Sequence, residues 1–377
     1  MERMSGRLLC YVAPNRKADL AVAVLAAALT GRNPASGLVV RGPQTGELLR
    51  DLRRARFVGA AQQPVIVDPG CWTTTVATPD APLVVAADDD ALYPLPLDEQ
   101  MASWLDSGAA GAFTPSGFVR DGDWPALKAV LAAGAQMSDP RVATLVATEA
   151  AMLGPARLET FMAVLDEQRG DRELAFVFAA RSTWLAGKGR MAGLRAMLNA
   201  FPGSLVVGTE VLAATDVLAH GGGAAIGLLA SQRQPRPPET RRGGPRSAGF
   251  IPGLFLRELW ETRNPSIYRA WYANRAAPVC ARCGDRAADS FTTDPADKEA
   301  VLLHNVHAWL AVLDELLDDE FVAGQVDQRT WLATQRWNAR EAHRDLGTPG
   351  KGAPVDPLLD ALCDLDGPPQ HRLVPTT

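Results

Sequence analysis

The feature that most constrains the fold of this chain is a rhythm. Short apolar runs alternate with longer Ala/Leu-rich stretches whose apolar residues fall three and four positions apart. The candidate strands are Leu38–Arg41, Val65–Asp68, Leu83–Ala86, Gly111–Phe113, Ala143–Ala147, Ala175–Phe178, Leu205–Val207 and Ala224–Leu229. Between them, Thr45–Ala55, Asp98–Ser107, Trp124–Ala133, Pro155–Glu167, Lys188–Ala200 and Val211–His220 read as helices. Parallel strands need a crossover long enough to hold a helix, so the alternation predicts a parallel α/β sheet. Eight strands in about 230 residues predict its closed form, a (β/α)8 TIM-type barrel. An open doubly wound sheet shares the rhythm, but no GxGxxG follows the first strand, which argues against the dinucleotide-binding version.

Composition removes other classes. With 377 residues, 47% of them hydrophobic, and a net charge of -5, the chain can bury a large core and is not a disordered polymer. Cys10, Cys71, Cys280, Cys283 and Cys363 are odd in number and mostly far apart, which is no disulfide framework and points to a reducing, cytoplasmic setting. The opening MERMSGRLLCYVAPNRK lacks a signal pattern, and the run Leu20–Leu29 is about half the length that spans a bilayer, so no membrane is expected.

Charge is unevenly spread. Ser231–Arg286 carries eleven Arg against four acidic residues (Glu239, Glu258, Glu261, Asp285), a local +7 that leaves -12 for the rest of the chain. Within it, SQRQPRPPETRRGGPRS reads as a long mobile loop. Leu254–Asn274 reads as a helix that interleaves Arg257, Arg263 and Arg269 with Trp260, Tyr268, Trp271 and Tyr272, and a second helix is expected from Lys298 to Leu317. The expected division is therefore a barrel over 1–230, an Arg/Pro/Gly-rich loop over 231–253, a helical metal-binding subdomain packed on the barrel over 254–346, and a poorly ordered tail over 347–377 with one turn near Leu358–Leu362.

Several residues carry chemistry. Cys280 and Cys283, two residues apart, followed about twenty positions later by His304 and His307, have the spacing of a zinc site, in which thiolates sit about 2.3 Å from the ion. Asp68 ends a strongly apolar strand ahead of Pro69-Gly70, which puts a carboxylate at the barrel's C-terminal mouth or else caps a turn. Glu149 and Glu210 also follow strands and line the same mouth. His220 and Gly222, in LAHGGGAAIG, stand where a backbone can approach a ligand closely or where the chain only turns. Arg233, Arg236, Arg241, Arg242 and Arg246 give the loop a phosphate-binding character, and with the Arg/aromatic helix they point to nucleic acid.

Taken together, these features resemble the tRNA-guanine transglycosylase superfamily, including its DNA-modifying 7-deazaguanine-inserting relatives. The layout over roughly residues 38–317 is similar. Cys280-Ala281-Arg282-Cys283 with His304-Asn305 is similar to the family's CxCxxC and helix-start His-Asn, with Pro278 in place of the first Cys; His307 or Asp285 would then complete the ligand set. Asp68-Pro69-Gly70 resembles the Asp-Ser-Gly-Gly after the family's second strand. Val207-Gly208-Thr209 resembles its Gly-Thr turn, and Ala230-Ser231-Gln232-Arg233 its Pro-Thr-Arg. The resemblance implies a zinc-containing barrel that replaces a guanine in tRNA or DNA with a free deazapurine base, and dimers formed through the zinc region. Asp68 would be the acid/base; because the family's nucleophilic Asp falls near Gly227, either Glu210 or Glu149 would be the nucleophile, or the displacement would be direct, or the chain would bind without exchanging. Two rivals stand beside it: a non-catalytic nucleic-acid-binding paralogue, and an unrelated barrel enzyme acting on a phosphorylated small molecule.

Overall fold

The computed structural model describes residues 6–13, 35–42, 49, 63–84, 96–240, 252–316, 327–348 and 351–369. Eight parallel strands close on themselves: β1 (Leu8–Val12), β2 (Ser36–Arg41), β3 (Val65–Asp68), β4 (Gly111–Phe113), β5 (Val142–Glu149), β6 (Leu174–Ala179), β7 (Leu205–Thr209) and β8 (Gly223–Gly227). β8 pairs with β1, which makes the ring complete. Helices α1 (Leu97–Asp106), α2 (Trp124–Ala135), α3 (Leu158–Gln168), α4 (Arg190–Ala200) and α5 (Val211–Ala219) alternate with the strands, so the fold is the expected TIM-type barrel.

The count of eight holds with one exchange of members. Leu83–Ala86 is no barrel strand: Leu83 makes an isolated antiparallel bridge to Ser116, Val84 N donates to Pro115 O, and residues from 85 lie outside the described set. Its place in the ring is taken by β1, the run LLCYV, which pairs with both β2 and β8. A barrel strand covered on both faces is continuously apolar, and β1 is buried along its whole length. Val65–Asp68 is consequently the third strand rather than the second. The helix expected over Thr45–Ala55 lies, apart from Leu49, outside the described residues.

The barrel interior is built from alternate strand residues. Leu9, Tyr11, Val39, Ile66, Phe113, Ala143, Leu145, Ala147, Ala175, Val177, Ala179, Leu205, Val207 and Ala225 form one buried cluster with Trp72 and Phe118. Alanines on β5, β6 and β8 face aromatic groups from β1 and β4, so the interior is a packed core rather than a pore. Extending the alternation places Arg41, Asp68 and Glu149 on the inner side at the C-terminal rim.

The chain forms two compact units, Met1–Glu210 with His220–Gly243, and Val211–Ala219 with Gly244–Thr377; the connector α5 thus belongs with the second unit. In that unit, Leu254–Asn274 is a hairpin followed by a short helix, not one helix. β9 (Leu254–Leu256) pairs with β10 (Glu261–Arg263), and α7 (Pro265–Trp271) follows, after the four-residue α6 (Ala230–Arg233) of the first unit. Trp260 turns the hairpin with φ 49, and Asn264 caps α7 by accepting from Ser266 N, with Pro265 in its first turn. Pro cannot lie inside a helix whose N–H it would remove, so it starts one. α8 (Lys298–Leu316) matches the expected second helix, and α9 (Gln328–Asp345) follows. Within the stretch expected to be a poorly ordered tail, residues 351–369 are described and include one helix. α10 (Pro357–Asp366) is capped by Asp356 and buries Leu358, Leu359, Leu362 and Cys363 at three- and four-residue spacing. Among the described residues, no helix is long and apolar enough to cross a membrane.

Candidate functional site

The C-terminal rim of the barrel gathers the carboxylates that the sequence placed there. Asp68, at the end of β3, is fully buried. Its Oδ2 accepts from Tyr11 Oη at 2.7 Å and from Trp72 Nε1 at 3.3 Å, and its Oδ1 accepts from Gly70 N at 2.8 Å. Burial pushes the Asp68 carboxyl above its usual range, while Arg41 and the three donors pull it back toward the anion. The Tyr11 phenol is pushed well up by burial and remains a donor. Arg41, register partner of Asp68 on the neighbouring strand, places its guanidinium 5.4 Å from the ring centroids of both Tyr11 and Trp72. Gly70 (φ 75) makes room for it, since a Cβ there would lie 2.7 Å from Arg41 Cγ. Sequence reasoning found Asp68 but missed Tyr11, Arg41 and Trp72. Tyr11 sits on the overlooked first strand, whereas Trp72 and Arg41 were legible as a polar-tipped ring four residues after Asp68 and a cation closing an apolar run.

Glu149 ends β5 on the inner side, partly exposed. Glu210 reaches the rim by a different route. The β7–β8 register shifts between Val207 and Thr209, so Thr209 pairs with Ile226 of the outer face and Glu210 takes the next inward position. There it meets Arg233, whose pKa burial lowers to about 10 while the Glu210 charge supports it. Arg233 is buried and donates to Leu228 O at 3.1 Å and Gly227 O at 3.4 Å, so it braces the rim rather than reaching into solvent.

The segment after β8 lies across this side of the mouth. Ala180 N donates to Pro235 O at 3.0 Å, and Glu239 pairs with Arg120 and, at 3.7 Å, with Arg181. A Cβ on Gly227 would stand 2.4 Å from Gln232 C and 2.5 Å from Arg233 N, so this position has no room for a side chain. Gly227→Asp is therefore expected to lower stability by about 1–3 kcal/mol through overpacking, and to create no new activity. Thermal unfolding read beside an activity assay checks both.

Not every candidate converges on the rim. His220 and Gly222 precede β8 and so lie at the barrel's N-terminal end, opposite Asp68, Glu149 and Glu210; Gly222 O accepts there from Gly6 N at 3.0 Å. In a parallel barrel that face carries stability rather than chemistry. Arg236 is exposed on the crossing segment, and Arg241, Arg242 and Arg246 lie outside the described residues.

The second unit holds a metal-competent cluster. β11 (Val279–Cys280) and β12 (Arg286–Ala287) form a hairpin whose turn carries Cys280 and Cys283, closed by Asp285 N donating to Cys280 O at 3.1 Å. The ligand atoms of Cys280, Cys283 and His304 all lie within 4.8 Å of one another, so this group could hold a metal ion. Cys283 Sγ is 3.7 Å from His304 Nδ1 and 3.2 Å from His307 Nδ1, one helical turn further on. His304 Nε2 faces Phe255 O at 2.9 Å, a contact that needs the proton on Nε2 and leaves the Nδ1 lone pair toward the thiols. Asn305 anchors the same strand, accepting from Phe255 N at 2.7 Å and donating to Gly253 O at 2.8 Å. Burial, then the neighbouring Cys280, pushes the Cys283 thiol up to about 12 when no ion is bound. Asp285 is exposed and outside the cluster.

Among the described residues of the second unit, several arginines of the Arg-rich stretch have partners within that unit. Arg257 bonds Glu315, Arg282 bonds Asp314, and Arg286 spans Asp297 at 3.0 Å while lying 3.9 Å from the Phe291 ring centroid. Arg269 donates to Phe291 O at 3.1 Å.

No family model matches the chain, and no curated protein matches it by sequence. Solved structures that align with it include a putative dihydrodipicolinate synthase family protein from Coccidioides immitis, at 13% identity over 97% of this chain and 95% of that one, with a TM-score of 0.37. Another is the dihydropteroate synthase from Xanthomonas albilineans, at 14% identity over 60% and 88%, with a TM-score of 0.28. A third is the carboxyl transferase domain of pyruvate carboxylase from Rhizobium etli, at 12% identity over 97% and 61%, with a TM-score of 0.36. None of the three is a transglycosylase.

Proposed function

We propose that this chain is a base-exchange enzyme of the tRNA-guanine transglycosylase type, replacing a guanine in tRNA or DNA with a 7-deazaguanine. The observation that carries the reading is the joint occurrence, in one chain, of a buried carboxyl at the barrel rim that opens an Asp-Pro-Gly turn and a Cys280/Cys283/His304 cluster whose adjacent Asn305 pins the strand that His304 also contacts. Zinc is the ion that suits two thiolates and an imidazole: tetrahedral ligands at about 2.0–2.3 Å stand about 3.5 Å apart, close to the spacing already present. It would cross-link the β11–β12 hairpin to α8, with His307 the nearest further donor.

In such an exchange the bond from ribose C1′ to the guanine nitrogen breaks as a carboxylate oxygen bonds to C1′. The departing base takes a proton from the acid, and the incoming base returns one as it displaces the carboxylate. Asp68 is the acid/base, its proton affinity raised by burial and tuned by Arg41. Among the described residues, Glu210 and Glu149 are the further carboxylates on the inner rim and take the attacking role. Asp68→Asn is expected to lower exchange of labelled guanine by roughly 10²–10⁴-fold with nucleic-acid affinity nearly unchanged. Exchange at the wild-type rate in that variant rejects the assignment.

The filled position at Gly227 favours a second reading, a relative that binds nucleic acid without exchanging its base. Binding that weakens steeply with salt while guanine incorporation stays at background supports it, and affinity unchanged up to about 0.3 M salt removes nucleic acid from both.

A further inference from the structure

The rim contains a cation whose part in the exchange chemistry is only to tune Asp68. Arg41 stands on the inner side at the end of β2, half-buried, and its register partner on the neighbouring strand is a carboxylate that is itself wholly covered. The arginine is no simple counter-ion: Asp68 already accepts from Tyr11, Gly70 and Trp72, and among the described residues no carboxylate oxygen comes within 4.0 Å of the Arg41 nitrogens. Two aromatic walls, Tyr11 and Trp72, flank the guanidinium at 5.4 Å, and its stem crosses Gly70. Apart from an interaction with the Tyr11 oxygen, the donor edge of the fork is not engaged by the described residues.

We propose that Arg41 is the specificity-determining residue of the barrel mouth and that it binds an oxyanion of the substrate, a phosphate or a carboxylate, beside Asp68. An Arg held between rings is pre-oriented, so its planar fork loses little freedom when two oxygens dock on it, and the rings and neighbouring wall keep the contact drier than a surface pair. This deepens the reading above, resting on the rim being the active site, and moves anion recognition from the loop arginines to a residue inside the barrel. On the base-exchange reading the oxyanion is the phosphate beside the extruded guanosine; on a metabolite reading it is the phosphate or carboxylate of the small molecule.

The test is equilibrium binding of inorganic phosphate, acetate and a short guanine-containing oligonucleotide to the full chain and to Arg41→Ala, Arg41→Lys and Arg236→Ala, with circular dichroism confirming the fold of each. Saturable binding of at least one probe is expected, weakened about 10-fold or more by Arg41→Ala and less by Arg41→Lys, which keeps the charge but not the fork. Arg236→Ala is expected to leave it unchanged. If Arg41→Ala does not fold, Arg41→Lys against Arg236→Ala carries the comparison. Binding equal in the Arg41 variants and wild type, binding lost only in Arg236→Ala, or no binding of any probe overturns the proposal. Preference for the oligonucleotide over inorganic phosphate assigns the oxyanion to nucleic acid, and acetate binding best assigns it to a carboxylate. Absent base exchange with Arg41-dependent phosphate binding intact sinks the exchange reaction and leaves this inference standing.

Discussion

Arg336→Ala is expected to unfold the second unit under conditions in which the wild type is folded. Arg336, on α9, is 1% exposed and contacts Asp216 of α5 at 2.9 Å and Asp366 of α10 at 2.9 Å. One guanidinium thus ties together the middle and the end of the chain's second unit. Removing one partner of a buried ionic group costs about 3–5 kcal/mol, because the carboxylates stay in a low-dielectric setting without the cation that compensated them. Total stabilities of roughly 5–15 kcal/mol make that a large fraction. Arg336→Met, which keeps the volume but not the charge, is expected to be nearly as severe, and Arg336→Lys partly tolerated. Denaturant unfolding followed by tryptophan fluorescence reads the change, Trp331 and Trp337 lying on the same helix. A loss under about 1 kcal/mol would mean that water reaches the two carboxylates and that the ionic group is not what holds the helices.

Metal removal is the second large effect. On the zinc reading, Cys283→Ser or a strong chelator is expected to abolish the roughly one zinc per chain and to loosen the β11–β12 hairpin from α8. That hairpin is short: its strands are two residues each, Val279 is 60% exposed, and its other ties include the ion pairs of Arg282 with Asp314 and Arg286 with Asp297. Structural zinc contributes apparent folding energies of about 10–16 kcal/mol in zinc-finger peptides, so even a fraction of that decides whether this hairpin is formed. Because ligation requires thiolates and a neutral imidazole, the affinity is expected to fall as pH drops. Elemental analysis of the purified chain, with hydrogen exchange at residues 279–287 before and after chelation, checks the pair of claims. Unaltered exchange after complete metal loss would assign the cluster a role other than support.

How much of this was legible depended on what each residue's neighbours are. Val65–Asp68 and Ala175–Phe178 declared themselves because turn signals bracket β-forming runs, and Cys280, Cys283 and His304 because ligand spacing is local in sequence. LLCYV was a poorer signal: with both faces covered it shows no alternation, and nothing nearby in sequence reveals that its partners are residues 36–40 and 224–227. Tyr11, the donor to Asp68, was lost with it. The Leu254–Asn274 misreading has a different origin. Arg and aromatic residues at helical spacing outweighed Asn264-Pro265, although that pair states where a helix begins. His220 was close to a strand in sequence yet at the wrong end of it, a distinction set by strand direction alone.

The closure of β8 onto β1 also bears on how the chain is made. Leu8 pairs with Ala224, so the first strand leaves the ribosome more than two hundred residues before its second neighbour exists. Until then the growing sheet has an open edge, the kind of surface that recruits other chains. Completion is delayed further for α5, which joins β7 to β8 yet buries Asp216 against Arg336, a residue synthesised 120 positions later. Nascent chains halted between β7 and α9 are therefore the form most in need of a chaperone, and contacts of such long range make the final closure the slow step of folding.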